Sequence, residues 1–157
     1  MRSMSVVYLM CLGLMIGVEL AAGAFVAPVI FFPQKLLGEG VLTHFQSGIL
    51  MTEIFLRMNL LVLFVSLGSF AFELSLWFSK AKNSDKASIL FSGLALVLAT
   101  LFVYYYTPLI VDAQLRGEVA TASEAFRTIH KQSEWVMKGL MMIQLGLFIR
   151  RGFVFTK

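Results

Sequence analysis

A chain of 157 residues with 59% hydrophobic and only 14% charged residues is not composed like a soluble domain, which runs nearer about 45–50% apolar and about 25% charged. Its formal charge of +4 comes without the interleaved basic and aromatic residues of a base-stacking surface, which argues against a nucleic-acid partner. A lone cysteine, Cys11, excludes an intrachain disulfide and a thiolate metal cluster.

Mean hydropathy of +0.84 points to the lipid bilayer as solvent, where about 20 apolar residues cross a core of about 30 Å as a helix. Four segments qualify, at about residues 8–32, 49–78, 89–107 and 135–149, within one domain over 1–157. In the first, the small residues of "ELAAGA" would suit a signal-peptide cleavage site. A signal core should end there, however, and "FVAPVIFF" carries the apolar run on. Gly13, Gly17 and Ala21 recur at four-residue spacing, which suits helix pairing. Glu19 stands midway along the span with no cation within a turn. A carboxylate there must find a partner, sit in a water cavity or stay protonated; Arg57 or Lys138 from a neighbouring helix is the expected partner. Pro28 predicts a kink near the outer end rather than a gate.

The connection "PQKLLGEGVLTHFQSG" is punctuated by Pro33, Gly38 and Gly40 and reads as an irregular loop or broken helix. The second span then carries Glu53, Arg57 and Asn59. Glu followed by a cation at i+4 is the favourable order for a pair on one helix face, and a lone charge at the centre of lipid costs about 2.5–3.5 kcal/mol. Pairing of Glu53 with Arg57 is therefore expected, with Asn59 reaching another helix and Glu73 meeting headgroups or Lys80. "KAKNSDK" is a tight turn, with Trp77 in an inner aromatic belt.

The third span ends in "YYYT", an interfacial anchor, and Pro108, a second expected kink. "DAQLRGEVATASEAFRTIHKQSE" is rich in helix formers and predicts helix projecting above the lipid; the fourth span is short unless its helix begins earlier, near Glu124. It carries Glu134 and Lys138, again an acid and a cation four apart, with Trp135 in an outer belt. The nine methionines are scattered as packing residues.

Basic residues are held on the cytoplasmic side. Seven fall on one side (Arg2, Lys80, Lys82, Lys86, Arg150, Arg151, Lys157) and four on the other (Lys35, Arg116, Arg127, Lys131). Both termini are therefore expected in the cytoplasm, with the protein in a bacterial-type inner membrane.

"APVIFF" aligns with "TPLIVD", and "MTEIFLRMNLLVLF" with "QSEWVMKGLMMIQL". Pro28 then falls on Pro108, Glu53 on Glu134 and Arg57 on Lys138. Two like-oriented helical hairpins would be related by a pseudo-twofold axis along the membrane normal. The expected fold is all-α, a polytopic membrane four-helix bundle.

Ionisable residues inside a membrane often mark a pathway, so Glu19, Glu53, Arg57, Asn59, Glu134 and Lys138 are the candidate lining of a site for a small ion or polar solute, in a monomer or homo-oligomer. The competing reading is that the same pairs only fix which helix packs on which, as in a non-transporting assembly subunit. His44 and His130 are weak metal candidates, since they come from different segments without local ligand spacing. No cofactor is expected. The sequence holds no nucleotide loop, no nucleophile elbow and no paired acid and base of known spacing, so nothing in it supports an enzyme.

"GAFVAPVIFF" followed by "FQSGILMTEIFLRMNLLVLF" resembles the domain-of-unknown-function 4149, or transmembrane protein 205-like, family, with most of the likeness in the glycine/alanine-rich first span and its "VAP.IF" ending. The resemblance implies a small four-helix integral membrane protein and supplies no catalytic residues. In size and helix number the chain is more loosely similar to copper-resistance-D-like proteins and four-helix haem-binding protoporphyrinogen oxidases. Those depend on histidine in the bundle, whereas neither His44 nor His130 falls in an expected span, which argues against the third reading, a haem- or metal-dependent membrane enzyme.

Overall fold

A computed structural model describes residues 2–38 and 40–155, which form helices and no strand. Lys157 and the side chain of Arg2, both used above for orientation, lie outside the described residues. In chain order the helices are α1 (Arg2–Leu20), a π-helical segment (Ala21–Val26), α2 (Ala27–Phe31), α3 (Gln34–Leu37), α4 (His44–Phe78), α5 (Lys86–Leu101), a second π-helical segment (Phe102–Tyr106), α6 (Thr107–Leu115), α7 (Glu118–Thr121) and α8 (Glu124–Phe155).

Three continuous runs, Met4–Phe31, His44–Phe78 and Lys86–Leu115, are long and apolar enough to cross a membrane, the mark of a membrane protein. They cover the first three expected spans except for Phe32 and extend beyond most of their ends. The fourth expected span is different. It lies within α8, which does begin at Glu124. Between Lys138 and Arg150, however, the charge-free stretch 139–149 is only about 16 Å of helix, and α8 does not reach the same standard of length and apolarity. It still packs along α1 and α5, and α4 packs along the same two helices.

Local chemistry sets the helix starts. Thr43 accepts from the Gln46 backbone N–H at 3.2 Å while the Gln46 side chain accepts from the Thr43 N–H at 2.9 Å, a capping box for α4. Asp85 caps α5 by accepting from the N–H groups of Ala87 and Ser88. Gly38, at φ 85°, turns the chain after α3 where a side chain would be strained.

Pro28 and Pro108 each follow a widened turn. The Ala27 N–H reaches back to the Ala22 carbonyl and the Thr107 N–H to that of Phe102, five residues away in both cases. A proline ring collides with the carbonyl four residues back and brings no N–H of its own; inserting one residue into the preceding turn accommodates both defects, and the helix runs on.

The exterior is oily and much of the interior is not. Leu60, Phe64, Phe78 and Leu90 face outward, while Ser66, Glu73, Gln144 and Arg151 are fully or almost fully buried. Water would impose the opposite arrangement. In lipid, helices associate through close packing of small residues and polar contacts. Accordingly Ser88, Ser92, Ala95 and Ala99 form the buried edge of α5, and phenylalanine rings settle on glycines of adjoining helices. A Cβ added at Gly13 would stand 3.3 Å from Phe148, and one at Gly93 would stand 3.3 Å from Phe70.

Candidate functional site

Glu19 lies on the buried face of α1 between Met15 and Ala22, with 6% of its surface exposed. Neither carboxyl oxygen has a hydrogen-bond partner among the described residues, and the same holds for Asn59 Oδ1, Ser66 Oγ and both amide atoms of Gln144. Contacts along α1 set the level of these groups. Tyr8 meets Glu73 of α4 and Gly13 meets Phe148 of α8. Because α1 runs antiparallel to both at equal rise, Glu19 stands opposite about residue 62 of α4 and about residue 142 of α8. Asn59, Ser66 and Gln144 are thus within about a turn of its level.

The expected partners of Glu19 are elsewhere. Arg57 Nε donates to Glu53 Oε1 at 3.1 Å and Lys138 Nζ to Glu134 Oε2 at 3.1 Å, each within its own helix, in the order that favours such pairs. These side chains face outward: Arg57 and Glu53 are 79% and 52% exposed, Lys138 and Glu134 57% and 48%. The reason is helical phase. At about 100° per residue, Glu53 is rotated about 200° from buried Met51, and Arg57 about 100° from buried Met58. A partner one turn away needs no tertiary alignment, and the long cationic stems reach it along the helix surface. Of the six expected lining residues, the fold therefore places Glu19 and Asn59 inside and Glu53, Arg57 and Lys138 on its outer face, while the half-exposed Glu134 lines a cavity.

Asn59 meets the expectation that it would reach another helix. Its Nδ2 donates to Thr107 Oγ1 at 3.2 Å, and Thr107 Oγ1 donates across the second π segment to the Phe102 carbonyl at 3.0 Å. Thr107 lines a cavity of about 420 Å³ walled by Phe31, Phe55, Phe102 and Phe126, with Gln114, Arg127 and Glu134 among its polar residues. His44 and His130 both line it, and His130 Nε2 is 3.3 Å from Glu134 Oε1. No group of three His, Cys, Asp or Glu side chains able to hold a metal occurs among the described residues.

A buried ion pair at the opposite end of the molecule escaped the sequence reasoning. Glu73, expected at headgroups or Lys80, has no exposed surface; its partner is the equally buried Arg151. Arg151 donates through Nε to Glu73 Oε1 at 2.6 Å, through Nη2 to Oε2, and through Nη1 to the Asn83 carbonyl at 2.6 Å. The Tyr8 hydroxyl adds a bond to Glu73 Oε1 at 2.9 Å. Beside it, Arg150 donates to Asp85 through Nε and, at 2.8 Å, through Nη2. Hydrogen bonding from Arg150, and after it from Ser88, outweighs burial and holds the Asp85 carboxyl well below the usual carboxylate range. The signal that pointed to Glu73 was its phase: Val62, Ser66, Ser69, Glu73 and Leu76 recur every three or four residues along one buried face.

A family model described as a domain of unknown function, DUF4149, matches residues 10–118. That stretch includes Glu19, Asn59, Ser66 and Thr107 and stops short of α8. No curated protein and no solved structure matches the chain.

Proposed function

The chain belongs to the DUF4149 family, and we propose that it is an integral membrane protein, a four-helix bundle that binds or permeates a small ion or polar solute at an interior polar site centred on Glu19. The observation that carries this reading is the buried carboxyl of Glu19, unpartnered among the described residues and level with the unpartnered amide of Gln144. Structural glue would be paired, as Glu73 is with Arg151. An uncompensated acid in a lipid-facing bundle lowers stability and is retained where it does chemistry.

Thr107, which lines the outer cavity, is hydrogen-bonded to Asn59, within about a turn of the level of Glu19. The inner end, closed by Arg151 and Glu73, collects the start of α1, the lysine-rich turn and the end of α8, in keeping with both termini in the cytoplasm of a cell with an inner membrane. The matched order of π segment then proline in α1–α2 and α5–α6 supports an ancestral duplication into two like-oriented hairpins.

A second reading, a non-transporting assembly subunit, draws on the outward-facing Glu53–Arg57 pair, which a partner helix would cover. Replacing Glu19 by Leu separates the two. Removal of an unpaired buried carboxyl should preserve or raise thermal stability while abolishing ion or solute flux in proteoliposomes. Flux in the Glu19→Leu vesicles equal to wild type, or none in wild type with folded protein, overturns the transport reading.

A further inference from the structure

We infer that the cavity beside Thr107 is a second binding site, apart from Glu19, that takes a single-chain zwitterionic amphiphile, with its acyl chain along the aromatic walls, a phosphate on Arg127 and an ammonium on Glu118.

The cavity is a slot. Its lining runs from His44 to Phe55 on α4 and from Phe126 to Met137 on α8, about 16 Å of each helix. The two stretches lie side by side, because the offset that sets Glu19 opposite residues 62 and 142 also sets Phe55 about level with Trp135. A third wall comes from α6. Thr107 is bonded to Asn59, and Gln114 Nε2 donates to Thr52 Oγ1 at 2.9 Å, so α6 runs antiparallel beside α4. At about 30 Å³ per heavy atom, the 420 Å³ of the slot holds about 14 heavy atoms, which suits one chain of about a dozen carbons and not a two-chain lipid.

Polarity changes along the slot. Phe55, Phe102 and Met137 form its apolar end. The polar side chains partway along it are engaged within the protein: Thr52 accepts from Gln114, Thr107 donates to the Phe102 carbonyl, and Ser133 donates to the His130 carbonyl at 2.7 Å. Glu134 is held by Lys138 and His130. A ligand body there forfeits nothing by lacking hydrogen-bonding groups.

The other end is charged. By the same offset Arg127 is level with about residue 47 of α4, and Glu118, just past the end of α6, stands at nearly that level, since Gln114 meets Thr52. Both line the cavity. Arg57, Arg116, Arg150 and Arg151 each hold a carboxylate; among the described residues Arg127 holds none, and Glu118 holds no cation. One free charge of each sign at the end of an apolar slot complements a zwitterionic head on a single tail. The guanidinium forks onto phosphate oxygens and the carboxylate accepts from an ammonium. A carboxylate-headed amphiphile would suit Arg127 but be repelled by Glu118, and a cationic one the reverse.

The slot also meets the lipid. Arg57 and Lys138 are level within about one residue, and Lys80 lies about 34 Å further along α4. Hydrocarbon about 30 Å thick fits between them, so the apolar end of the slot is at its edge and the charged end stands beyond. An amphiphile leaving the leaflet enters with its tail toward the bilayer, the orientation it already has.

The test is native mass spectrometry of the purified full-length protein released from maltoside micelles, with lauroyl lysophosphatidylethanolamine as the probe. One saturable adduct is expected. Arg127→Gln and Glu118→Gln should each weaken it about tenfold. Gly48 lines the slot, and a Cβ there would meet only Gln114 Nε2, at 3.7 Å, so Gly48→Leu should fill the space and abolish the adduct. Arg57→Gln, on the outer face, should leave it unchanged. Melting temperatures show which variants are folded, and the two exposed rim positions serve if Gly48→Leu does not fold. The inference is overturned by the absence of an adduct, by adducts that do not saturate at one, or by an adduct unchanged in either rim variant. Equal binding of dodecanoate or of dodecyltrimethylammonium overturns it too, leaving a site for one sign of charge alone. Each of these outcomes is independent of the flux measured in Glu19→Leu vesicles, which tests the Glu19 reading by itself.

Discussion

Arg151 and Glu73, 78 residues apart in sequence, meet in a buried fork in which Nε donates to Oε1 at 2.6 Å and Nη2 to Oε2. The bidentate match of guanidinium to carboxylate joins α8 to α4, while Nη1 holds the Asn83 carbonyl of the connecting turn. One arginine thereby fixes two helices and a loop.

Removing one member should be costly. Glu73→Ala leaves an unpaired buried guanidinium and is expected to lower stability by about 3–5 kcal/mol. Arg151→Lys keeps the charge but loses the fork and should fall between this variant and wild type. Combining Glu73→Leu with Arg151→Leu and Tyr8→Phe should recover much of the loss. Melting temperatures of the detergent-solubilised proteins give the comparison, and a triple variant no better than Glu73→Ala would contradict it.

Asp85 makes the turn between α4 and α5 acid-sensitive. Its folded pKa is depressed by Arg150 and Ser88, so its contribution is fully present above the unfolded carboxylate pKa of about 3.9 and is lost as pH falls from there toward the folded value. Asp85→Asn keeps a good N-cap but loses the ion pair with Arg150 and should flatten the stability profile below about pH 4. Asp85→Ala should cost a further amount of about 1 kcal/mol at every pH. Unchanged acid dependence in Asp85→Asn counts against this assignment.

Asn59 and Thr107 provide a double-mutant cycle. Thr107→Val strands the Asn59 amide and should cost about 1–3 kcal/mol, while Asn59→Leu with Thr107→Val should cost less than the single effects added together. Strict additivity would mean that the 3.2 Å bond is energetically silent.

The outward pairs should matter little. Arg57→Ala and Lys138→Ala remove exposed i,i+4 partners, each expected to change stability by less than about 1 kcal/mol, with flux unaltered. A large loss of flux in Arg57→Ala, with stability kept, would return the site to the outer face of α4.

Helix content and the three lipid-capable runs were legible because apolar length alone decides them. So was the partnership of Glu53 with Arg57, which is local. Facing was not. In a soluble helix, polar residues mark the outside, but along α4 both lipid and helix neighbours are apolar, so the phase of Arg57 relative to Met58 carried no label. The Glu73–Arg151 pair was hidden by sequence distance, because nothing local tells Arg151 apart from its neighbour Arg150. Glu19 stands out in the sequence because no nearby cation can explain it.

The segment Ala21–Val26 also controls rotation. A turn with one residue too many advances everything beyond it by about 100°, so the outer end of the first long helix is aimed by an insertion rather than by its own side chains. The Ile30 carbonyl that accepts from Ser47 Oγ at 2.8 Å is presented correctly only after that extra step. Deleting a single alanine there would leave hydropathy almost unchanged and yet swing this carbonyl away from α4, unfastening the helices at this end while the Glu73–Arg151 end stayed clasped.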